Sequence, residues 1–230
     1  KVLNREDCTF IKSTYKDNPF LPDELVKEIE RLRDTDEDYW KIYGLGERGF
    51  SKSIIFPRVE MMSKIPEEAT LISTGLDFGY TNDPSALVEV YELEDKLIFN
   101  ELLYERGLTN SDIANRMDAF WTDKRRVVFA DSSEPKSIEE LYRLGYNVKP
   151  CVKGRDSINI GIDLLKRFKL CVTTKSTNLI SEFNGYKWQE DKNGYLLNKP
   201  IDNNNHGIDA LRYAVTMVKS KPNVGKYSIR

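Results

Sequence analysis

Between residues 71 and 105 the apolar positions fall in three dense runs, LISTGLDFGY, SALVEVYEL and KLIFNELLYE, separated only by short polar turns. Runs of this length, rich in β-branched and aromatic residues, predict three strands folded as an antiparallel meander. The period then lengthens. Residues 110–121 (NSDIANRMDAFW) predict a helix, 125–131 (RRVVFAD) a strand, and 135–145 (PKSIEELYRLG) a second helix. The alternation continues through YNVKPCV, a long helix DSINIGIDLLKRF, a short strand LCVTT and a helix from about Asn178. Residues 186–200 (YKWQEDKNGYLLNKP) read as a hairpin turning at Asn193 and Gly194. A closing helix runs from about Asn205 to Lys219, with Ile208, Leu211, Val215 and Val218 on one face and Arg212, Thr216 and Lys219 forming a narrow polar stripe. Three adjacent strands followed by alternating helices and strands predict an α/β sheet with helices on its faces.

Upstream, after an extended lead-in, the pattern is helical. Pro22 suits the first turn of PDELVKEIERLR, where Leu25, Ile29 and Leu32 recur at helical spacing, and DEDYWKIYG predicts a second short helix. GLGERGFSKS, residues 44–53, formally matches GxGxxG, but it follows a helix and has Phe50 where a phosphate loop carries lysine, so it is read as a connector. MMSKIPEEAT reads as the approach to a new domain, and the last residues, KSKPNVGKYSIR, as a basic tail. The expected layout is a helical segment over 1–60, a catalytic α/β domain over 71–220 and a tail over 221–230.

Composition narrows the chemistry. With 35 Lys+Arg against 37 Asp+Glu, net charge gives no global attraction to nucleic acid, so DNA affinity has to be local or supplied by a partner and should fall steeply with salt. Cys8, Cys151 and Cys171 lack CxxC spacing and suggest neither a zinc site nor a disulfide framework. No apolar run reaches the roughly 20 residues that span a bilayer, which predicts a cytoplasmic protein without membrane contact.

Three aspartates stand where sheet chemistry collects. Asp77 is embedded in an apolar strand, where an unpaired charge is costly; Asp131 closes VVFAD; Asp209 lies in the first turn of the last helix. Each has a structural alternative. Asp131 precedes SSEP, the pattern of a helix cap, and Asp209 is favoured by the helix N-terminus in any case. His206, the sole histidine, neighbours Asp209 at i and i+3. Asp83 in TNDPSA reads as a turn former before Pro84, and Asp202 as a second-tier candidate. Converging carboxylates supply hard oxygen ligands suited to Mg²⁺ or Mn²⁺. Lys153 and Arg155 precede a helix N-terminus and Lys187 and Lys192 flank the hairpin, the candidate phosphate contacts.

GLDFGYTNDPSAL, VVFADSSEPKSI and NNNHGIDALRYA, in that order and spacing, resemble the nuclease domain of the large terminase subunit of tailed bacteriophages. STYKDNPFLPDEL followed by YWKIYGLGERG resembles the end of that subunit's ATPase domain and its linker. The resemblance implies a ribonuclease H-like fold and metal-dependent cutting of double-stranded concatemeric DNA. Its catalytic and metal-binding residues fall on Asp77, Asp131, Asp209 and the HxxD histidine His206. It further implies two Mg²⁺ or Mn²⁺ ions and, as partners, DNA, the small terminase subunit, the portal and the procapsid. The expected location is the cytoplasm of an infected bacterium, transiently at the portal and not in the mature virion. No GxxxxGK[ST] loop is present, so no ATPase or translocation activity is expected of this stretch. Two other classes compete: a catalytically silent DNA-binding or assembly module, and an actin-like or sugar-kinase phosphotransferase, to whose phosphate loop LDFGYTNDPSA is loosely similar.

Overall fold

The computed structural model describes residues 12–35, 40–46, 53–192 and 195–220, in two compact units divided between Ser53 and Ile54. In the first unit, Thr14 and Asp17 cap a turn of helix over Tyr15–Asp17, and α1 (Asp23–Thr35) follows. Val26, Ile29 and Leu32 of α1 are half-buried and its remaining residues exposed, except that the ring of Tyr15 lies near that of Trp40 in a π-helical turn, Trp40–Gly44. The connector reading of 44–53 rests largely on 47–52, and the tail reading on 221–230; both lie outside the described residues, as do Cys8 and the hairpin tip at Asn193 and Gly194.

The second unit is a seven-stranded mixed sheet in the order β1-β7-β4-β3-β2-β5-β6. The meander β2 (Thr70–Asp77), β3 (Ser85–Leu93) and β4 (Lys96–Glu105) forms its antiparallel centre. On one side β5 (Val127–Ala130) and β6 (Asn147–Pro150) add in parallel; on the other, β7 (Lys169–Thr173) and then β1 (Val59–Met62) do so. β1 has no counterpart in the sequence pattern, which gives no element over 59–62 and takes Met61 and Met62 into the approach segment MMSKIPEEAT. The remaining elements are α2 (Asn110–Phe120), α3 (Pro135–Arg143), α4 (Ser157–Leu165), α5 (Thr177–Gly185), the hairpin β8 (Trp188–Glu190) and β9 (Leu196–Pro200), and α6 (His206–Lys219).

Strand periodicity divides the interior in two. Ala86, Val88 and Val90 of β3 pack with Ile162, Phe183, Ile208 and Leu211 from α4, α5 and α6. Leu87, one residue out of phase, joins Leu76, Met117 and Leu141 from β2, α2 and α3 on the opposite face. Because Leu76 faces α2 and α3, the flanking Gly75 and Asp77 face α6, and this parity aims Asp77 at the last helix. The helix lies unusually close. A β-carbon at Gly75 would stand 1.8 Å from the Ala210 carbonyl oxygen, so only glycine permits this contact of strand and helix backbones. Gly75→Ala is expected to cost about 3 kcal/mol in urea unfolding by prising α6 from β2; a loss below about 1 kcal/mol would show that the contact is not tight.

Helix α6 is buried almost all round from Gly207 to Val215. Arg212 of the narrow polar stripe is itself buried: it is only 4% exposed, with its guanidinium on Asp209. The hydrophobic pattern could not separate a buried, paired cation from an exposed one.

Candidate active site

Strands β2 and β5 run side by side in parallel, and they end at Asp77 and, one residue past Ala130, at Asp131. The first turn of α6 crosses these ends and brings His206 and Asp209. Asp77, Asp131, Asp209, His206, Lys153 and Arg212 all line one cavity of about 300 Å³, with Asp83 and Asp202 at its wall. Of the sequence-predicted residues, the structure gathers the aspartates, the histidine and Lys153; exposed Arg155, Lys187 and Lys192 do not line this cavity.

Each acid has its own environment. Asp77 is buried, and Asp77 Oδ2 lies 3.1 Å from His206 Nδ1. Burial drives its pKa up, the imidazole contact opposes this, the nearby Asp209 charge adds to it, and the result is about 6. Asp131 is also raised by burial, but the Lys153 ammonium 2.5 Å away and the Ser133 hydroxyl and amide outweigh this and hold it at about 2. The Tyr213 hydroxyl donates to its other oxygen at 3.1 Å. For Asp209, burial raises the pKa against the pull of Arg212, which donates from Nη2 at 2.9 Å and from Nε at 3.3 Å. His206 is raised, chiefly by its bond to Asp77 and against desolvation, and its Nε2 stands 3.5 Å from Asp83.

His206 and Asp209, neighbours at i and i+3, line the same cavity with different partners. His206 is partnered by Asp77 and Asp83 rather than by its helical neighbour Asp209, and Asp83 is more than a turn former. The cap of α6 comes from elsewhere: buried Glu182 of α5 accepts from the amides of Gly207 at 3.1 Å and Ile208 at 2.8 Å and from the Tyr104 hydroxyl at 2.8 Å. Nothing local in SEFNG marks Glu182 for this work; its partners are distant in sequence. Room for Arg212 comes from Gly161 of α4, where a β-carbon would stand 2.5 Å from the Arg212 Cγ. Lys153, expected at a helix N-terminus as a phosphate contact, instead sits on Asp131 and 5.3 Å over the Tyr213 ring.

The donor set suits a hard divalent cation. Carboxylate oxygens from three elements and one imidazole line one cavity, and to the burial that chiefly raises the Asp77 pKa the Asp209 and Asp131 charges add a repulsion that a cation would relieve. Among the described residues, no group of three acidic, histidine or cysteine side chains is arranged around a single point. Asp131 and Asp209 are each turned onto a basic side chain, Lys153 and Arg212.

A mixed sheet built on an antiparallel meander, flanked by helices and carrying acids at the ends of adjacent strands, defines the ribonuclease H-like class. Within it the chain belongs to the terminase large-subunit family: the terminase RNase H-like domain matches residues 77–217, and the phage terminase large subunit family matches residues 1–47. It is 32% identical to the terminase large subunit of Bacillus phage SPP1 over 220 residues, 90% of this chain and 51% of that one. It is 27% identical to the PBSX phage terminase large subunit of Bacillus subtilis over 225 residues, 94% of this chain and 52% of that one. The chain thus spans about half the length of the curated relatives it matches. The crystal structure of the g2p large terminase nuclease domain of bacteriophage SPP1, with bound Mn, is similar at a TM-score of 0.60 and 28% identity, covering 70% of this chain and 97% of that one. No helix among the described residues is long and apolar enough to cross a membrane.

Proposed function

We propose that this chain is the metal-dependent endonuclease part of a DNA-packaging terminase, cutting double-stranded concatemeric phage DNA. The observation that carries this reading is the convergence of Asp77, Asp131, Asp209 and His206 on one cavity at the ends of β2 and β5. Asp77, Asp131 and Asp209 would hold Mg²⁺ or Mn²⁺, two ions by analogy with two-metal phosphodiester hydrolysis, and these when bound supply Lewis acidity to the scissile phosphate and the leaving 3′ oxygen. The protein's own groups set the geometry. Tyr213 and Ser133 fix the Asp131 carboxylate, Arg212 fixes Asp209, and Glu182 fixes the turn of α6 that carries both His206 and Asp209. His206, held through Nδ1 by Asp77, presents Nε2 to the cavity on the side of Asp83, where it can orient a water or ligate an ion.

Arg155, Lys187 and Lys192, all exposed, are proposed phosphate contacts along the flanking DNA. Delivery of DNA is assigned to the rest of the packaging machinery, namely the small terminase subunit, the portal and the procapsid, in the cytoplasm of the infected host. A silent assembly module would need none of this acidic convergence, and a kinase would need a second phosphate loop. The test is incubation with supercoiled plasmid in Mn²⁺, Mg²⁺ and EDTA, beside Asp131→Asn. Nicking and linearisation are expected with either metal, none in EDTA, and a drop of at least about a hundredfold in the variant. Cleavage that persists in EDTA, or at wild-type rate in the variant, overturns the assignment.

A further inference from the structure

Asp131 is the most heavily partnered of the acids lining the cavity. Its Oδ1 accepts from the Ser133 amide at 2.8 Å, the Ser133 hydroxyl at 2.6 Å and the Lys153 ammonium at 2.5 Å, while Oδ2 accepts from Tyr213. A carboxylate offers about four lone-pair positions, so almost all of its capacity is in use. The donors differ in what it takes to remove them. The Ser133 contacts are two residues away along the chain, and Tyr213 is nearly buried on α6. Arg212, the other cation of the cavity, is forked onto Asp209 and stacked 4.9 Å from the Tyr213 ring. Lys153 is the cation with the looser hold: beyond Asp131 it has the Tyr213 ring 5.3 Å from its Nζ, its backbone lies in the exposed loop between β6 and α4, and its side chain is 35% exposed. An ammonium is a compact point charge on a flexible stem, fit to stand in for a metal cation and to leave again.

We infer that Lys153 is a tethered counter-ion that occupies Asp131 while no divalent ion is there, and that it transfers to a DNA phosphate when substrate arrives, so that metal and DNA each promote the other's binding. The inference rests on the nuclease reading above. Its charge reaches Asp209 as well as Asp131, which lets one side chain shield two of the proposed ligands from mutual repulsion. Once Lys153 is on the phosphate, Asp131 recovers the lone pair that an ion requires. By linkage, whatever factor DNA contributes to metal affinity, metal contributes to DNA affinity.

The experiment is calorimetric titration of Mn²⁺ into the full chain as wild type, Lys153→Met and Lys153→Arg, each with and without a short phosphorothioate duplex that resists hydrolysis. Thermal melts confirm that every variant is folded. Without DNA, Lys153→Met is expected to bind Mn²⁺ about tenfold more tightly than wild type, a step equal to about 1.4 kcal/mol. The duplex is expected to tighten Mn²⁺ binding to wild type and to Lys153→Arg severalfold and to leave Lys153→Met unchanged. Equal or weaker Mn²⁺ binding by Lys153→Met, or a duplex effect that persists in it, overturns the counter-ion role and leaves the nuclease assignment standing. Failure of wild type and variant alike to bind Mn²⁺ would overturn both.

Discussion

Asp77→Asn is expected to melt several degrees higher than the wild-type protein in EDTA while losing metal-dependent DNA cleavage. The two effects share one cause. Burial raises the Asp77 pKa from 3.8 to about 6, so folding at neutral pH forces a charge into a place that disfavours it. Below the unfolded value the group is protonated in both states and contributes nothing. As pH rises towards 6 the unfolded chain loses its proton first, stability falls, and above 6 the deficit stays constant at about 3 kcal/mol. Asparagine removes that deficit and still accepts from His206 Nδ1. For a unit of this size the gain corresponds to roughly 6–12 °C. Wild type should therefore lose stability between pH 4 and pH 6.5 in EDTA by an amount that the variant does not share, and Mn²⁺ should raise the melting point of wild type only. A variant that melts lower than wild type at pH 8 would show that the carboxylate is stabilised in place, and that its neighbours do not form a site wanting a cation.

The same carboxylate shows what the sequence could and could not convey. The meander, the alternating helices and strands, and the parity that turns Asp77 away from Leu76 are local periodicities, readable wherever one face of an element is buried. The edge strand β1 was missed because it has no such signature. Val59, Glu60, Met61 and Met62 neither alternate nor cluster, and the strand exists only through its pairing with β7, more than a hundred residues later. The berth of Arg212 is hidden for a related reason: helical spacing places a cation on a polar stripe but carries no information about whether a carboxylate and a glycine on another helix make a buried place for it.

At the site, three aspartates and a histidine could be singled out because each breaks an apolar or element-end pattern. Their partners could not. The sequence puts His206 next to Asp209, yet the folded chain gives His206 to Asp77 and Asp209 to Arg212, with α6 packed backbone to backbone on β2 at Gly75. Lys153 lies in a glycine-containing loop ahead of a helix, where the sequence offers it as a phosphate contact and carries no sign of its ion pair with Asp131. The acids and the histidine that line the cavity were legible; the electrostatic frame around them is a product of long-range packing.

Replacing Glu182 tests that frame most severely. Its two oxygens take the amides of Gly207 and Ile208, the orphan donors at the start of α6, and the hydroxyl of Tyr104 from β4, with Glu182 itself only 3% exposed. Burial raises its pKa even as those donors pull it down, so the carboxylate is retained at an energetic cost. Glu182→Leu strands three donors at about 1–2 kcal/mol each and is expected to cost about 3–5 kcal/mol in urea unfolding. Glu182→Gln preserves the shape and one acceptor while turning an NH₂ towards a backbone N–H, and is expected to lose about half as much. The decisive comparison is activity at a temperature where Glu182→Gln is fully folded. Because this cap positions the turn bearing His206 and Asp209, plasmid cleavage should fall about tenfold or more with Mn²⁺ saturating, without any change in the metal requirement. Wild-type cleavage by folded Glu182→Gln would mean that α6 is seated by its apolar face alone, through Ile208, Leu211 and Val215, and that Glu182 serves only stability.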